Sequence, residues 1–198
     1  MTAPADIADL IDRLKGYFAL SAIGVALTVH SDAEELMRQV GISVDDSIRL
    51  SRTKGYGDYE LPLTSYARGS ETTHQQRNAM LQSWLELTIL HVGHKLAVYN
   101  YFDKAPVLVF FRHIRNGVAH GNRMNVRPDR DKKGREKEWK EVKWGNFEIK
   151  PYMDAAAVGG LLRRGDALAL LDDVAVYLRT LQWKDGVDSS DGRWVSVP

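Results

Sequence analysis

From His74 to Phe102 the chain runs without a proline while apolar side chains recur at helical spacing. Met80, Trp84, Leu87, Leu90, His91, His94 and Val98 fall near one stripe of such a helix. At about 1.5 Å per residue this run spans the width of a small domain, so it predicts a long central helix that the rest of the chain packs around. Three further stretches carry the same period. Residues from about 5 to 30 place Ile7, Leu10, Ile11 and Leu14 at helical intervals, and Asp6, Asp9 and Asp12 near the start favour the positive end of the helix dipole. Pro106 suits an early helical position, and Asp103 before it a cap, for a helix running to about His120 and closed by Gly121-Asn122. Leu168, Leu171, Val174, Leu178 and Leu181 mark a last helix from Asp166, its expected N-cap, to Trp183. A short helix from Ala33 to Val40, capped by Ser31-Asp32 and stopped by Gly41, completes an all-α expectation of four to five helices.

Between these runs the composition changes. Residues 51–71 hold Gly55, Gly57, Pro62 and Gly69 without a sustained period, which predicts a surface loop. Arg123 to Lys143 carries nine Lys or Arg against five Asp or Glu and few aliphatic residues, a solvated basic loop. Its end alternates Trp139, Val142 and Trp144 with Phe147 and Ile149 across Gly145-Asn146, which predicts a small β-hairpin before the last helix within 123–150. Residues 184–198 read as a polar tail that Trp194 could tack down. A chain of 198 residues supports one full core, so 1–183 is expected to be a single helical domain.

Composition narrows the chemistry. With 44% hydrophobic and 27% charged residues the chain is of the globular class, and its net charge of +1 offers no global attraction to nucleic acid. The absence of cysteine removes disulfides, thiolate nucleophiles and thiolate metal sites. The most apolar stretch, Gly16 to Val29, is shorter than the roughly 20 residues a spanning helix needs, and the acidic start is not an export signal. No membrane partner and a cytoplasmic location are therefore expected. No GxSxG elbow, phosphate-binding loop or dinucleotide fingerprint is present.

The helix ending at His120 has two faces. Taking about 100° per residue, Val107, Phe111, Ile114 and Val118 form a core stripe. His113, Asn116 and His120 stack on nearly the opposite side, with Arg112 and Arg115 on its flank. Most polar stripes are simply solvated faces. Here two histidines, two arginines and an asparagine stand together with no carboxylate, which suits an anion. His120 lies in the last turn, where the negative dipole end favours imidazolium and proton transfer. Gly117 and Ala119 beside the stripe leave room for a partner helix to approach.

At Arg115-Asn116-Gly117-Val118-Ala119-His120, followed by Gly121-Asn122, the sequence resembles the HEPN superfamily, marked by an Arg, a polar residue and then a His. The likeness in layout covers about residues 74 to 182; in motif detail it covers about a dozen residues. It implies a helical HEPN-like bundle, a homodimer, and a cleft between subunits where both copies of the motif meet. Many members are metal-independent RNases, and others bind without known catalysis. The resemblance assigns Arg115, Asn116 and His120 to catalysis; helix geometry adds Arg112 and His113, and Asn122 and Arg123 follow as substrate contacts. The implied activity cleaves RNA to 2′,3′-cyclic phosphate and 5′-hydroxyl ends without cofactor or metal, as in toxin or phage-defence RNases, where an antitoxin or regulatory protein is a further partner. The competing readings are a non-catalytic RNA-, nucleotide- or protein-binding module and a metal enzyme. The latter would rest on His91 and His94, whose spacing puts both on one helix face. Their place near the apolar stripe favours core or interface histidines instead.

Overall fold

The structure, a computed structural model, describes residues 3–28, 30–43, 45–53, 57–62, 74–102, 105–184 and 193–196. In chain order the elements are α1 (Pro4–Thr28), α2 (Ala33–Gln39), β1 (Ser47–Leu50), β2 (Tyr59–Pro62), α3 (His74–Val98), α4 (Pro106–Ala119), β3 (Arg123–Asn125), β4 (Val142–Trp144), β5 (Phe147–Ile149), β6 (Asp154–Ala156), α5 (Arg164–Thr180), β7 (Leu181–Lys184) and β8 (Arg193–Ser196). The all-α expectation is corrected by this order. Helices are interleaved with two-stranded antiparallel sheets, β1 with β2, β3 with β6, β4 with β5 and β7 with β8, a mixed α/β architecture rather than an HEPN-like helical bundle.

The physical reason is that three of these four pairings join segments with little local β signature. Ser47–Leu50, beyond the Gly41 stop of the second helix, pairs with Tyr59–Pro62 inside the expected surface loop. Arg123 pairs with Ala156 across some thirty residues of chain. Leu181–Lys184, the expected end of the last helix, pairs with Arg193–Ser196 of the polar tail, and Trp183 stands opposite Trp194. The β4–β5 hairpin turns at Gly145-Asn146, where alternation pointed, and Gly145 takes a φ of 53° that suits glycine. Asp103, the expected cap, lies outside the described residues; Ala105 holds the cap position of α4, with Pro106 first in the helix. Asp166 lies inside α5 rather than before it, and its carboxylate accepts the backbone N–H of Arg163 at 2.9 Å.

The chain forms two compact units, Met1–Tyr17 with Gln82–Pro198, and Phe18–Leu81. The core of the first is buried side chains from four helices: Ile7 and Ile11 of α1, Leu85, Ile89, Val92 and Leu96 of α3, Leu108, Phe110, Phe111 and Ile114 of α4, and Leu170, Leu171, Val174 and Leu178 of α5. Polar clamps tie α1 to α5 in this unit: Lys15 pairs with Asp172, and Arg179 bridges Asp9 at 3.0 Å and Asp12 at 2.5 Å. The second unit contains α2 and the β1–β2 pair, with Leu20, Ile23 and Leu27 of α1 left exposed.

On α3 the structure turns most of the expected stripe outward, with Trp84 and Leu90 half-buried. Leu85, Ile89, Val92 and Leu96 face the core, while Met80, Leu87 and Val98 are each more than half exposed and His91 and His94 are exposed too. Apolar residues recur on more than one side of this helix, and spacing alone does not say which side meets the core. Among the described residues no helix is long and apolar enough to cross a membrane.

Candidate functional site

Helix α4 ends in a tight reversal. The backbone N–H of His120 reaches Asn116 O at 3.1 Å and Gly117 O at 3.2 Å, closing the last turn. Gly121 and Asn122 then take positive φ values of 75° and 60°, folding the chain back as β3. Asn is among the few non-glycine residues that adopt this conformation readily. Its side chain secures the reversal: Asn122 Nδ2 donates to Val158 O at 2.8 Å, and Asn122 Oδ1 accepts from Val158 N at 2.9 Å. Both ends of this amide are thus engaged in holding the turn to the chain after β6.

The returning strand lies against the helix at Gly117, which is buried. A Cβ there would stand 2.8 Å from Met124 Cγ and 3.0 Å from Ala157 Cβ, closer than packed carbons normally come. The close approach that small residues allow on this face is therefore made at Gly117 by β3 of the same chain, not by a partner helix. Ala119 is exposed.

That approach gives the polar stripe a second wall. Arg112, His113 and Asn116 on α4, His120 capping its end, and Arg123, Asn125, Arg127 and Asp129 on the returning segment line one open cleft of about 440 Å³, floored by Gly117, Met124 and Val126. Three arginines and two histidines share it with a single carboxylate, Asp129. Arg123 is held at the rim by two 2.7 Å hydrogen bonds to Asp154, and Arg127 Nε donates to Asn125 Oδ1 at 3.2 Å. His113 is half-buried, with Trp139 tilted against it at 5.9 Å between ring centres and 57° between planes. Burial and the neighbouring Arg112 charge lower its pKa from the ordinary 6.5, against a weaker opposite pull from Asp129. Both effects favour the neutral ring over imidazolium.

Arg115 is placed elsewhere. It is absent from the cleft lining; its aliphatic stem lies over Gly93 of α3, with Cβ and Cδ 3.2 and 3.3 Å from where a Cβ at 93 would stand. Its Nε is buried without a hydrogen-bond partner, and its Nη1 donates to Asn116 Oδ1 at 3.1 Å. The structure thus gathers Arg112, His113, Asn116, His120 and Arg123, joins Arg115 to the cleft through Asn116, and uses Asn122 to hold the turn. Sequence reasoning missed Asn125, Arg127 and Asp129, and it read Trp139 as part of the hairpin, whose first strand starts only at Val142. The only signal of the first three was the basic composition of 123–143, which does not say which of its charges fold back onto a helix.

Among the described residues no group of three His, Asp or Glu side chains is placed to hold a metal, and His91 and His94 are exposed on α3. Comparison with family models, with curated proteins and with solved structures finds no match.

Proposed function

We propose that this chain is a metal-independent endoribonuclease whose site is the cleft between α4 and its returning strand. The carrying observation is that cleft's lining: two histidines and an asparagine in a row along one helix face, with arginines at both walls and one carboxylate among them. RNA cleavage without metal needs a base for the 2′-hydroxyl proton, an acid for the departing 5′-oxygen, and cations for the charge that grows on phosphate. His120, exposed at the helix end, would take the 2′-hydroxyl proton as base, a water molecule would protonate the departing 5′-oxygen, and Asn116 would orient the ribose or phosphate. Arg112 would hold the phosphate through its planar fork. The 2′-oxygen would attack phosphorus as the bond to the 5′-oxygen breaks, leaving a 2′,3′-cyclic phosphate and a 5′-hydroxyl. The Arg115-Asn116-x-x-x-His120 resemblance to HEPN RNases supports the same chemistry. Arg115 would act there by aligning Asn116, to which it is bonded.

A homodimer belongs to this proposal. Leu87, His91, His94 and Val98 form an exposed, acid-free line along α3, the helix on which Arg115 rests.

The same Arg115 packing favours a second reading, in which the cleft grips RNA without cutting it. Incubating purified protein with mixed RNA in EDTA separates the two. The proposal expects cyclic-phosphate and 5′-hydroxyl ends, a loss of about 10² to 10⁴ in rate for His120→Ala, and affinity that falls steeply with salt. RNA that shifts on a native gel but stays intact, or that His120→Ala cuts as fast as wild type, overturns the cleavage reading.

A further inference from the structure

Two partly exposed tryptophans flank α4, and their surroundings differ. Trp144 is committed to the fold: it stacks on Phe147 at 5.5 Å and 12°, leans on Phe110 at 5.8 Å, and donates its Nε1 hydrogen to Asp173 at 2.7 Å. Trp139 lies in a charged segment between exposed Glu138 and Lys140, outside any strand or helix, and its ring contact is to His113 of the cleft. A large aromatic ring in a solvated basic loop, half-covered and set beside an arginine-lined cleft, has the makings of a stacking wall for a nucleobase.

We infer that the cleft takes single-stranded RNA, with one unpaired base stacked on Trp139 while its phosphates lie along Arg112 and Arg127. The inference rests on the RNA reading above and specifies the form of RNA. Within a duplex both faces of each base are covered by neighbours, so only a base freed from its stack can use the Trp139 ring. Position along the helix fits as well. Asn116 and His120 stand about 4.5 and 10.5 Å beyond His113 along the axis at 1.5 Å per residue, within reach of the sugar and phosphates of a nucleotide whose base rests at Trp139. His113 links the two parts, touching the stacking ring and opening into the cleft.

The test uses the full chain and an oligoribonucleotide methylated at every 2′-oxygen, so that binding is read without cleavage, alone and annealed to its complement. Single strand is expected to bind about tenfold or more tighter than duplex. Trp139→Ala weakens single-strand binding roughly 5- to 150-fold, the range for one base–aromatic stack. Trp139→Leu, which refills the space beside His113 without a π-face, loses as much; Trp139→Phe stays within a few-fold of wild type. Duplex binding as tight as single strand, or Trp139→Leu binding like wild type, overturns the inference. Cleavage of unmethylated RNA is scored separately. Protein that cuts RNA but binds it equally well without an aromatic at 139 refutes the stacking wall and leaves the activity standing. Trp139-dependent binding by a protein that cuts nothing does the reverse.

Discussion

The side chain of Arg115 occupies the space above Gly93 where any other residue's Cβ would stand, and from there it donates to Asn116 Oδ1 at 3.1 Å. A glycine on α3 thereby sets the position of an arginine on α4 and, through it, an amide in the cleft. Gly93→Ala is expected to displace Arg115 and lower RNA cleavage by about 10²-fold, the scale of an ångström-level misplacement. Arg115→Ala should do the same, and the double variant should be no worse than either alone. Additive losses in kcat/KM would show that the two residues act independently.

Asn122 supports stability more than substrate contact. Asn122→Ala removes two hydrogen bonds to Val158, leaves that residue's backbone groups without these partners and puts alanine at a φ of 60°. A loss of about 2–3 kcal/mol in urea unfolding is expected. Asn122→Gly, which accepts the backbone conformation, should lose less.

Gly117 is where strand and helix close on each other. Gly117→Ala brings a Cβ against Met124 and Ala157, so overpacking of about 1–3 kcal/mol outweighs the gain in helix propensity of under about 1 kcal/mol. Stability should fall by about 1–2 kcal/mol, read as a lower urea midpoint with an unchanged m-value. A more stable Gly117→Ala protein would mean that β3 does not press on α4 at this point.

His113 ties stability to pH. Its folded pKa lies below the unfolded value near 6.5, so the unfolded chain binds more protons as the solution is acidified. Its contribution is therefore complete above about pH 6.5 and is lost as pH falls toward the folded value. His113→Gln should flatten the stability profile below about pH 6.5 in unfolding experiments at a series of pH values. Asp129→Asn removes the carboxylate that pulls the pKa up, so the His113 resonance in an NMR titration should move at lower pH than in wild type. A shift to higher pH would contradict this arrangement.

Much of the local structure was legible beforehand. Helical periods located α1, α3, α4 and α5 to within a few residues, because an amphipathic helix repeats its pattern along contiguous chain. The β4–β5 hairpin was legible for the same reason: alternation and a Gly-Asn turn are neighbours in sequence. The pairs β1–β2, β3–β6 and β7–β8 were not, since short strands gain their stability from a partner elsewhere and carry little pattern of their own. The α3 stripe shows a related limit. Its period was plain, yet the face turned to the core depended on what α1, α4 and α5 brought to it.

The stretch from Arg112 to His120 follows the same division. By itself the sequence determined that His113, Asn116 and His120 share one helix face with arginines beside it, because that depends only on 3.6 residues per turn. The tertiary structure decided what the face meets. Gly117 admits Met124, which brings Arg123, Arg127 and Asp129 opposite the histidines; Gly93 admits Arg115, which turns that residue onto α3. Both outcomes depend on a missing Cβ at a contact between distant segments, and such contacts exist only after the chain has folded.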